Sequence, residues 1–177
     1  MLPKTGVEPL VIRGECQILL PSLETWQIIL PDASSTLQLG EDLTRTCVCP
    51  AILLLDGNLG AGKTTCVQGI ARAAGITGPV TSPTFALIQE YPEGDPALVH
   101  IDLYRLAPEA VRELWLEEFW EQQVLVAIEW AERLRYLPED YLRLQLQFWD
   151  PEGRRAMFEA TGPRSAAWLA RLARHYC

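Results

Sequence analysis

The stretch that decides the fold is Ala51-Ile-Leu-Leu-Leu-Asp56, followed directly by Gly57-Asn-Leu-Gly-Ala-Gly-Lys-Thr64. The first six residues are an apolar run long enough for a buried strand, and residues 65–74 have the composition of a helix. A glycine-rich turn of the form G-x-x-x-x-G-K-T between a strand and a helix is the context in which this motif forms a phosphate-binding loop. The sequence therefore predicts nucleotide binding at this turn.

Each residue type in the turn has a chemical reason. Glycines let the chain curl so that successive backbone N–H groups surround phosphate oxygens, and the start of the following helix adds partial positive charge. Lys63 is expected to neutralise β/γ-phosphate charge, and the Thr64 hydroxyl to ligate Mg²⁺. Asn58 is the only asparagine in the chain, so the N-K-x-D guanine-reading motif is absent and we predict ATP as the nucleotide. The predicted phosphate-binding residues are Gly57, Asn58, Leu59, Gly60, Ala61, Gly62, Lys63, Thr64 and Thr65.

A second apolar run, at residues 124–129, predicts another strand that is covered on both faces and lies centrally with residues 51–56. The 177 residues then predict one α/β domain, a P-loop NTPase-like mixed β-sheet sandwiched by helices. We place this domain at residues 25–177, including a C-terminal helix, and treat residues 1–24 as an extension of unknown role.

The remaining elements follow from shorter patterns. Alternating residues 141–148 predict an edge or half-exposed strand, and Ser34-Ser35 predicts the cap of a helix over about 36–46. Further strands are expected at 26–30, 84–91, 97–102 and 155–161, and helices at 108–123 and 163–176.

Two acidic residues end predicted strands. Glu129 closes the strand at 124–129, on the same edge of the sheet as residues 57–64, where ligands bind in such sheets. We predict that it holds Mg²⁺; the alternative is an acid near solvent. Asp102 closes its own strand and is predicted to orient or deprotonate the attacking water, or to stand behind the Mg²⁺ ligands; the alternative is a helix N-cap. Thr84, in Thr81-Ser-Pro-Thr-Phe85, is expected to sense the γ-phosphate, unless that segment is a plain turn.

The net charge of −8 argues against direct binding to a polyphosphate backbone, which needs clustered lysine and arginine. The five cysteines are odd in number and show no C-x-x-C spacing. This pattern argues against zinc or a disulfide framework and favours the reducing cytoplasm. We find no apolar segment of 18 residues and predict no membrane span.

Several segments together resemble the TsaE (formerly YjeE) family of bacterial P-loop ATPases in tRNA threonylcarbamoyladenosine biosynthesis. The segments that carry the resemblance, over about residues 25–160, are Leu55-Asp-Gly-Asn-Leu-Gly-Ala-Gly-Lys-Thr-Thr65, Val80-Thr-Ser-Pro-Thr-Phe85, His100-Ile-Asp-Leu-Tyr-Arg-Leu106 and Ile128-Glu-Trp130.

The resemblance implies that Thr64 and Glu129 hold Mg²⁺, that Lys63 binds ATP phosphates and that Asp102 assists hydrolysis. It also implies that Thr36 and Arg154 lie near the nucleotide. The implied partners are TsaD and TsaB, which modify adenosine 37 of tRNA, so that tRNA is reached only through them. Two alternatives stay open from the residues alone: a small-molecule kinase and a non-catalytic, nucleotide-gated binding module.

Overall fold

A seven-stranded mixed sheet forms the centre of the computed structural model, which describes residues 24–150 and 152–176. The strands are β1 (Thr25–Leu30), β2 (Ala51–Asp56), β3 (Ile88–Tyr91), β4 (Leu98–Asp102), β5 (Leu125–Glu129), β6 (Leu142–Phe148) and β7 (Arg154–Ala160). Their order across the sheet is β1-β7-β6-β2-β5-β4-β3. Neighbours among β4, β5, β2 and β6 are parallel, whereas β3, β7 and β1 pair antiparallel. The predicted α/β fold class is confirmed, with β2 and β5 adjacent at the centre.

Helices cover both faces of this sheet, but unequally. The described residues contain α1 (Ala33–Thr46), α2 (Lys63–Ala73), α3 (Pro108–Val111) and α4 (Pro163–His175). One core packs α1, α2 and α4 on the face that carries Leu53 and Leu55 of β2. The opposite face, with Ile52 and Leu54, is covered by α3 and by short 3-10 turns. Because alternate residues of a strand point to opposite faces, both cores need β2 to be apolar throughout.

The predicted helix over 108–123 is wrong beyond Val111. Two 3-10 turns follow, at Arg112–Leu114 and Leu116–Phe119, and between them Trp115 has a left-handed backbone with φ of 49°. Val111 and Leu116 are the buried anchors of this segment. A continuous α-helix turns by 100° per residue and so separates positions five apart by about 140°. Breaking the helix brings both anchors onto the sheet.

Two smaller expectations also need correction, and a third is narrowed to one of its alternatives. The α1 cap is Asp32, whose Oδ1 accepts a hydrogen bond from Ser35 N at 2.7 Å, because its short carboxylate reaches the free amides of the first turn. The strand predicted at 84–91 begins only at Ile88, since Leu87 has φ of 67° and cannot continue an extended strand. Of the two alternatives predicted for residues 141–148, the half-exposed strand is confirmed and the edge strand is not: β6 lies between β7 and β2 and alternates because only one of its faces is fully covered.

The predicted extension at residues 1–24 lies outside the described residues, apart from Glu24. Among the helices that the structure describes, none has both the length and the apolar character needed to cross a membrane.

The backbones of α1 and α2 approach each other closely at two glycines. A Cβ added to Gly40 would lie 2.0 Å from the carbonyl oxygen of Cys66, and one added to Gly69 would lie 2.0 Å from that of Leu37. Side-chain atoms do not approach backbone oxygen so closely, so these two positions admit only glycine. The contact fixes α1 against the helix that follows the glycine loop.

Gly40→Ala is therefore expected to force the two helices apart and to lower the free energy of unfolding by about 3 kcal/mol. For a chain of this length the melting temperature should fall by about 6–12 °C. Gly78→Ala is the control, because a Cβ at Gly78 meets nothing within 4 Å. Equal melting temperatures for the two variants would contradict the close packing of α1 on α2.

Candidate functional site

The glycine loop, residues 57–62, joins the central strand β2 to α2 at the carboxyl edge of the parallel strands. Gly57 and Gly62 have φ of 143° and 104°, a backbone region that other residues rarely adopt. A Cβ at Gly57 would lie 2.4 Å from the carbonyl oxygen of Leu146, so the loop also has no room for a larger residue there. The helix begins at Lys63, and its free N–H groups lie at the loop.

The Lys63 ammonium is folded back over its own loop. It donates to the carbonyl oxygens of Gly57, at 2.6 Å, and Asn58, at 3.1 Å, and lies 3.8 Å from the ring centroid of Trp130. The residue is only 4% exposed. Burial lowers the pKa of Lys63, while the negative charges of the surrounding carboxylates oppose this shift. These carboxylates are Glu129, Glu132, Asp102 and Asp56.

Thr64 and Glu129 meet at the mouth of the loop, although 65 positions separate them in the chain. The Thr64 hydroxyl lies 2.9 Å from Oε1 and 3.0 Å from Oε2 of Glu129. The prediction that these residues share one edge of the sheet is confirmed. A hydroxyl and a carboxylate supply the oxygen ligands that Mg²⁺ prefers, so this pair fits such an ion.

Asp102 ends β4 directly beside Glu129, its register partner on β5. Its Oδ2 accepts hydrogen bonds from the hydroxyls of Ser82 and of Thr84, the latter at 2.7 Å, and its Oδ1 accepts from the backbone N–H of Tyr104 at 2.8 Å. The alternative of a helix N-cap does not hold, because the next helical residue is Pro108. Thr84, predicted as a γ-phosphate sensor, is in contact with this carboxylate.

Two further predicted residues touch the glycine loop from outside. The Thr36 methyl group lies against Gly62, 3.2 Å from where a Cβ would stand. Arg154 donates to the carbonyl oxygens of Ala61 at 3.1 Å and Gly60 at 3.3 Å, and its guanidinium lies over the Phe148 ring at 4.4 Å. The structure therefore brings both residues to the loop. Of the other predicted phosphate-binding residues, Leu59 is exposed, Ala61 is buried and Thr65, in α2, is half-buried.

Sequence reasoning passed over two residues that the structure brings into this site. His100 is fully buried on β4, and its Nε2 lies 2.9 Å from Oε1 of Glu129. Trp130 has φ of 60° and presents its ring to Lys63. The signal for His100 was its position two residues before Asp102, which places both side chains on the same face of a strand. No comparable signal marks Trp130, because its backbone conformation depends on the turn after β5.

The fold and the glycine loop together define an α/β domain of the P-loop NTPase-like class. Its particular family follows from comparison with known proteins. The family model "Threonylcarbamoyl adenosine biosynthesis protein TsaE" matches residues 30–156, and the chain belongs to this family. The chain therefore shares the role of that family in tRNA threonylcarbamoyladenosine biosynthesis.

Individual relatives agree with this assignment. The TsaE protein of a Nostoc species is 48% identical over 134 residues, which cover 73% of this chain and 83% of that protein. The TsaE protein of Bacillus subtilis is 35% identical over 152 residues, covering 85% of this chain and 94% of its own. The crystal structure of YdiB from Bacillus subtilis superposes with a TM-score of 0.74 at 29% identity, covering 87% of this chain and 97% of that one.

Proposed function

We propose that the chain is an Mg²⁺-dependent ATPase that serves the modification of adenosine 37 in tRNA as an accessory to TsaD and TsaB, in the cytoplasm. The observation that carries the proposal is the contact between Thr64 and Glu129 at 2.9 and 3.0 Å, beside a glycine loop and a helix N-terminus. Backbone N–H groups and Lys63 suit a phosphate chain, and the two oxygen donors suit its metal ion.

The charges around Lys63 support a requirement for a divalent cation. Four carboxylates act on the Lys63 ammonium, and among the described residues only one of them, Asp56, has a second lysine or arginine beside it, Arg143 at 3.6 Å, so the site carries excess negative charge. A triphosphate brings further negative charge, and like charges at this distance repel strongly where little water screens them. Mg²⁺ held by Thr64 and Glu129 would offset that repulsion and supply charge stabilisation at the β- and γ-phosphates. ATP is accordingly expected to bind as its magnesium complex.

Asp102 is the residue that we assign to the attacking water. An ionised carboxylate has about four lone-pair positions. Among the residues that the structure describes, two donors contact Oδ2 and one contacts Oδ1, which leaves one position on Oδ1 free. Through it, Asp102 can accept a hydrogen bond from water and direct its oxygen at the γ-phosphate. The Ser82 and Thr84 hydroxyls hold the carboxylate in place for this task.

Partner proteins enter the proposal for two reasons. The net charge of −8 disfavours direct contact with tRNA, so the proposal assigns binding of the tRNA to the partner proteins. In addition, the sequence offers no arginine in a finger motif, and phosphoryl transfer accelerates strongly when a partner supplies or orders such a residue.

We therefore expect slow ATP hydrolysis by the chain alone and at least about a tenfold rise when TsaD and TsaB are added. Phosphate release should be followed with and without the pair, with complex formation checked by gel filtration. An unchanged rate without a complex would contradict the partnership. Nucleotide binding without single-turnover hydrolysis, even with partners present, would favour the non-catalytic module. Phosphate release only with an added acceptor would favour a kinase.

A further inference from the structure

His100 is an unusual residue for the middle of a central strand. It lies at the third position of β4, next to Ala127 on β5, and is fully buried. Its Nε2 contacts Glu129, but its Nδ1 is buried without a hydrogen-bond partner among the described residues. An unpartnered buried nitrogen costs about 1–3 kcal/mol, which an apolar side chain of similar size would avoid. Packing alone therefore does not explain a histidine at this position.

The hydrogen bond to Glu129 explains the residue better. A carboxylate only accepts hydrogen bonds, so Nε2 of His100 is the donor. Oε1 of Glu129 then accepts from His100 on one side, at 2.9 Å, and lies 2.9 Å from the Thr64 hydroxyl on the other. The imidazole is fixed in turn, because its strand is hydrogen-bonded on both edges, to β3 and β5. A rigid donor thus holds Oε1 of Glu129, and both oxygens of this carboxylate stay within 3.0 Å of the Thr64 hydroxyl.

We propose that His100 is a positioning residue, which fixes the Glu129 carboxylate against Thr64 and so strengthens binding of the divalent cation. The inference rests on the proposed function, since it concerns the same metal site. Partners that orient a metal ligand in this way typically contribute 10- to 100-fold to metal affinity.

The test measures metal affinity apart from turnover. Binding of a non-hydrolysable ATP analogue is titrated at graded Mg²⁺ concentrations and in EDTA, and free Mn²⁺ is followed by its paramagnetic resonance signal. We expect His100→Leu to raise the Mg²⁺ concentration at half-saturation by about 10- to 100-fold. Binding of the analogue in EDTA should match that of the wild-type chain, because the glycine loop is untouched.

Two amide variants separate the hydrogen bond from mere polarity and packing. The amide nitrogen of His100→Gln can reach the position of Nε2, whereas the shorter side chain of His100→Asn cannot. Gln should recover most of the metal affinity and Asn should not. This pair also decides the matter if the leucine variant fails to fold, with far-ultraviolet circular dichroism as the check. Equal metal affinity in the Gln and Asn variants would overturn the proposal.

A double-mutant cycle supplies the last control. In a Glu129→Gln background, His100→Leu should cause no further loss of metal affinity, because its effect passes through that carboxylate. An additive loss would contradict the inference. A wild-type chain that binds no Mg²⁺–nucleotide complex refutes the proposed function itself; unchanged metal dependence in His100→Leu, with a functional wild type, refutes only the role of His100.

Discussion

Replacing Lys63 with alanine is expected to weaken ATP binding by at least about 100-fold. The ammonium is buried beside the glycine loop and within reach of Gly57 and Asn58, where two phosphate oxygens would replace the two carbonyls as its acceptors. A hydrogen bond to a charged group contributes about 1.5–3 kcal/mol, and two of them exceed the 2.8 kcal/mol that corresponds to a factor of about 100. The dissociation constant should be measured by calorimetry with a non-hydrolysable ATP analogue and saturating Mg²⁺.

Arg72→Ala provides the matched control for this variant. Arg72 lies in the last turn of the same helix, is exposed and carries the same charge, so its loss changes the net charge equally. Its affinity for the analogue should equal that of the wild type, and both variants should keep the native circular dichroism spectrum. A dissociation constant of Lys63→Ala within about threefold of the wild-type value would refute the phosphate-site assignment. The loss of even one hydrogen bond to a charged group would cost more binding free energy than that.

Glu129→Gln is expected to reduce ATP turnover by at least about 100-fold, measured with TsaD and TsaB present. The amide keeps the size of the side chain but removes the negative charge that would bind Mg²⁺ beside Thr64. In EDTA, the analogue should bind this variant as tightly as the wild type or more tightly. The reason is that one of the four carboxylates that repel the triphosphate is gone. Turnover should therefore fall, whereas the affinity for the analogue in EDTA should not.

Glu159→Gln makes the same charge change on an exposed position of β7, away from the glycine loop, and should alter neither quantity. If Glu129→Gln retains both its turnover and its dependence on Mg²⁺, then the carboxylate does not hold the metal ion. If it loses analogue binding equally with and without Mg²⁺, its role is structural.

The parts of the fold that could be predicted are those whose signal is local. β2 and β5 are apolar throughout because both faces are covered, and the glycine spacing predicts the turn before α2. The meeting of Thr64 and Glu129 also follows, since parallel strands end at the same edge of the sheet. Local composition and strand direction suffice for these inferences.

Features that depend on tertiary packing could not be predicted in this way. The helix ends at Val111 because Leu116 must be buried on the same face of the sheet. The sequence of this segment has helical periodicity and therefore does not show where the helix ends. The position of β6 inside the sheet depends on β7 pairing with it after a turn. Likewise, the sequence indicates only a core residue at His100, because its contact with Glu129 depends on the pairing of β4 with β5.

The most direct measurement is a calorimetric titration of the purified chain with a non-hydrolysable ATP analogue, carried out in excess Mg²⁺ and again in EDTA. If the glycine loop binds the triphosphate together with Mg²⁺, we expect saturable binding of one analogue per chain in Mg²⁺ and much weaker binding in EDTA. The absence of binding at every Mg²⁺ concentration, or identical isotherms in Mg²⁺ and EDTA, would contradict it.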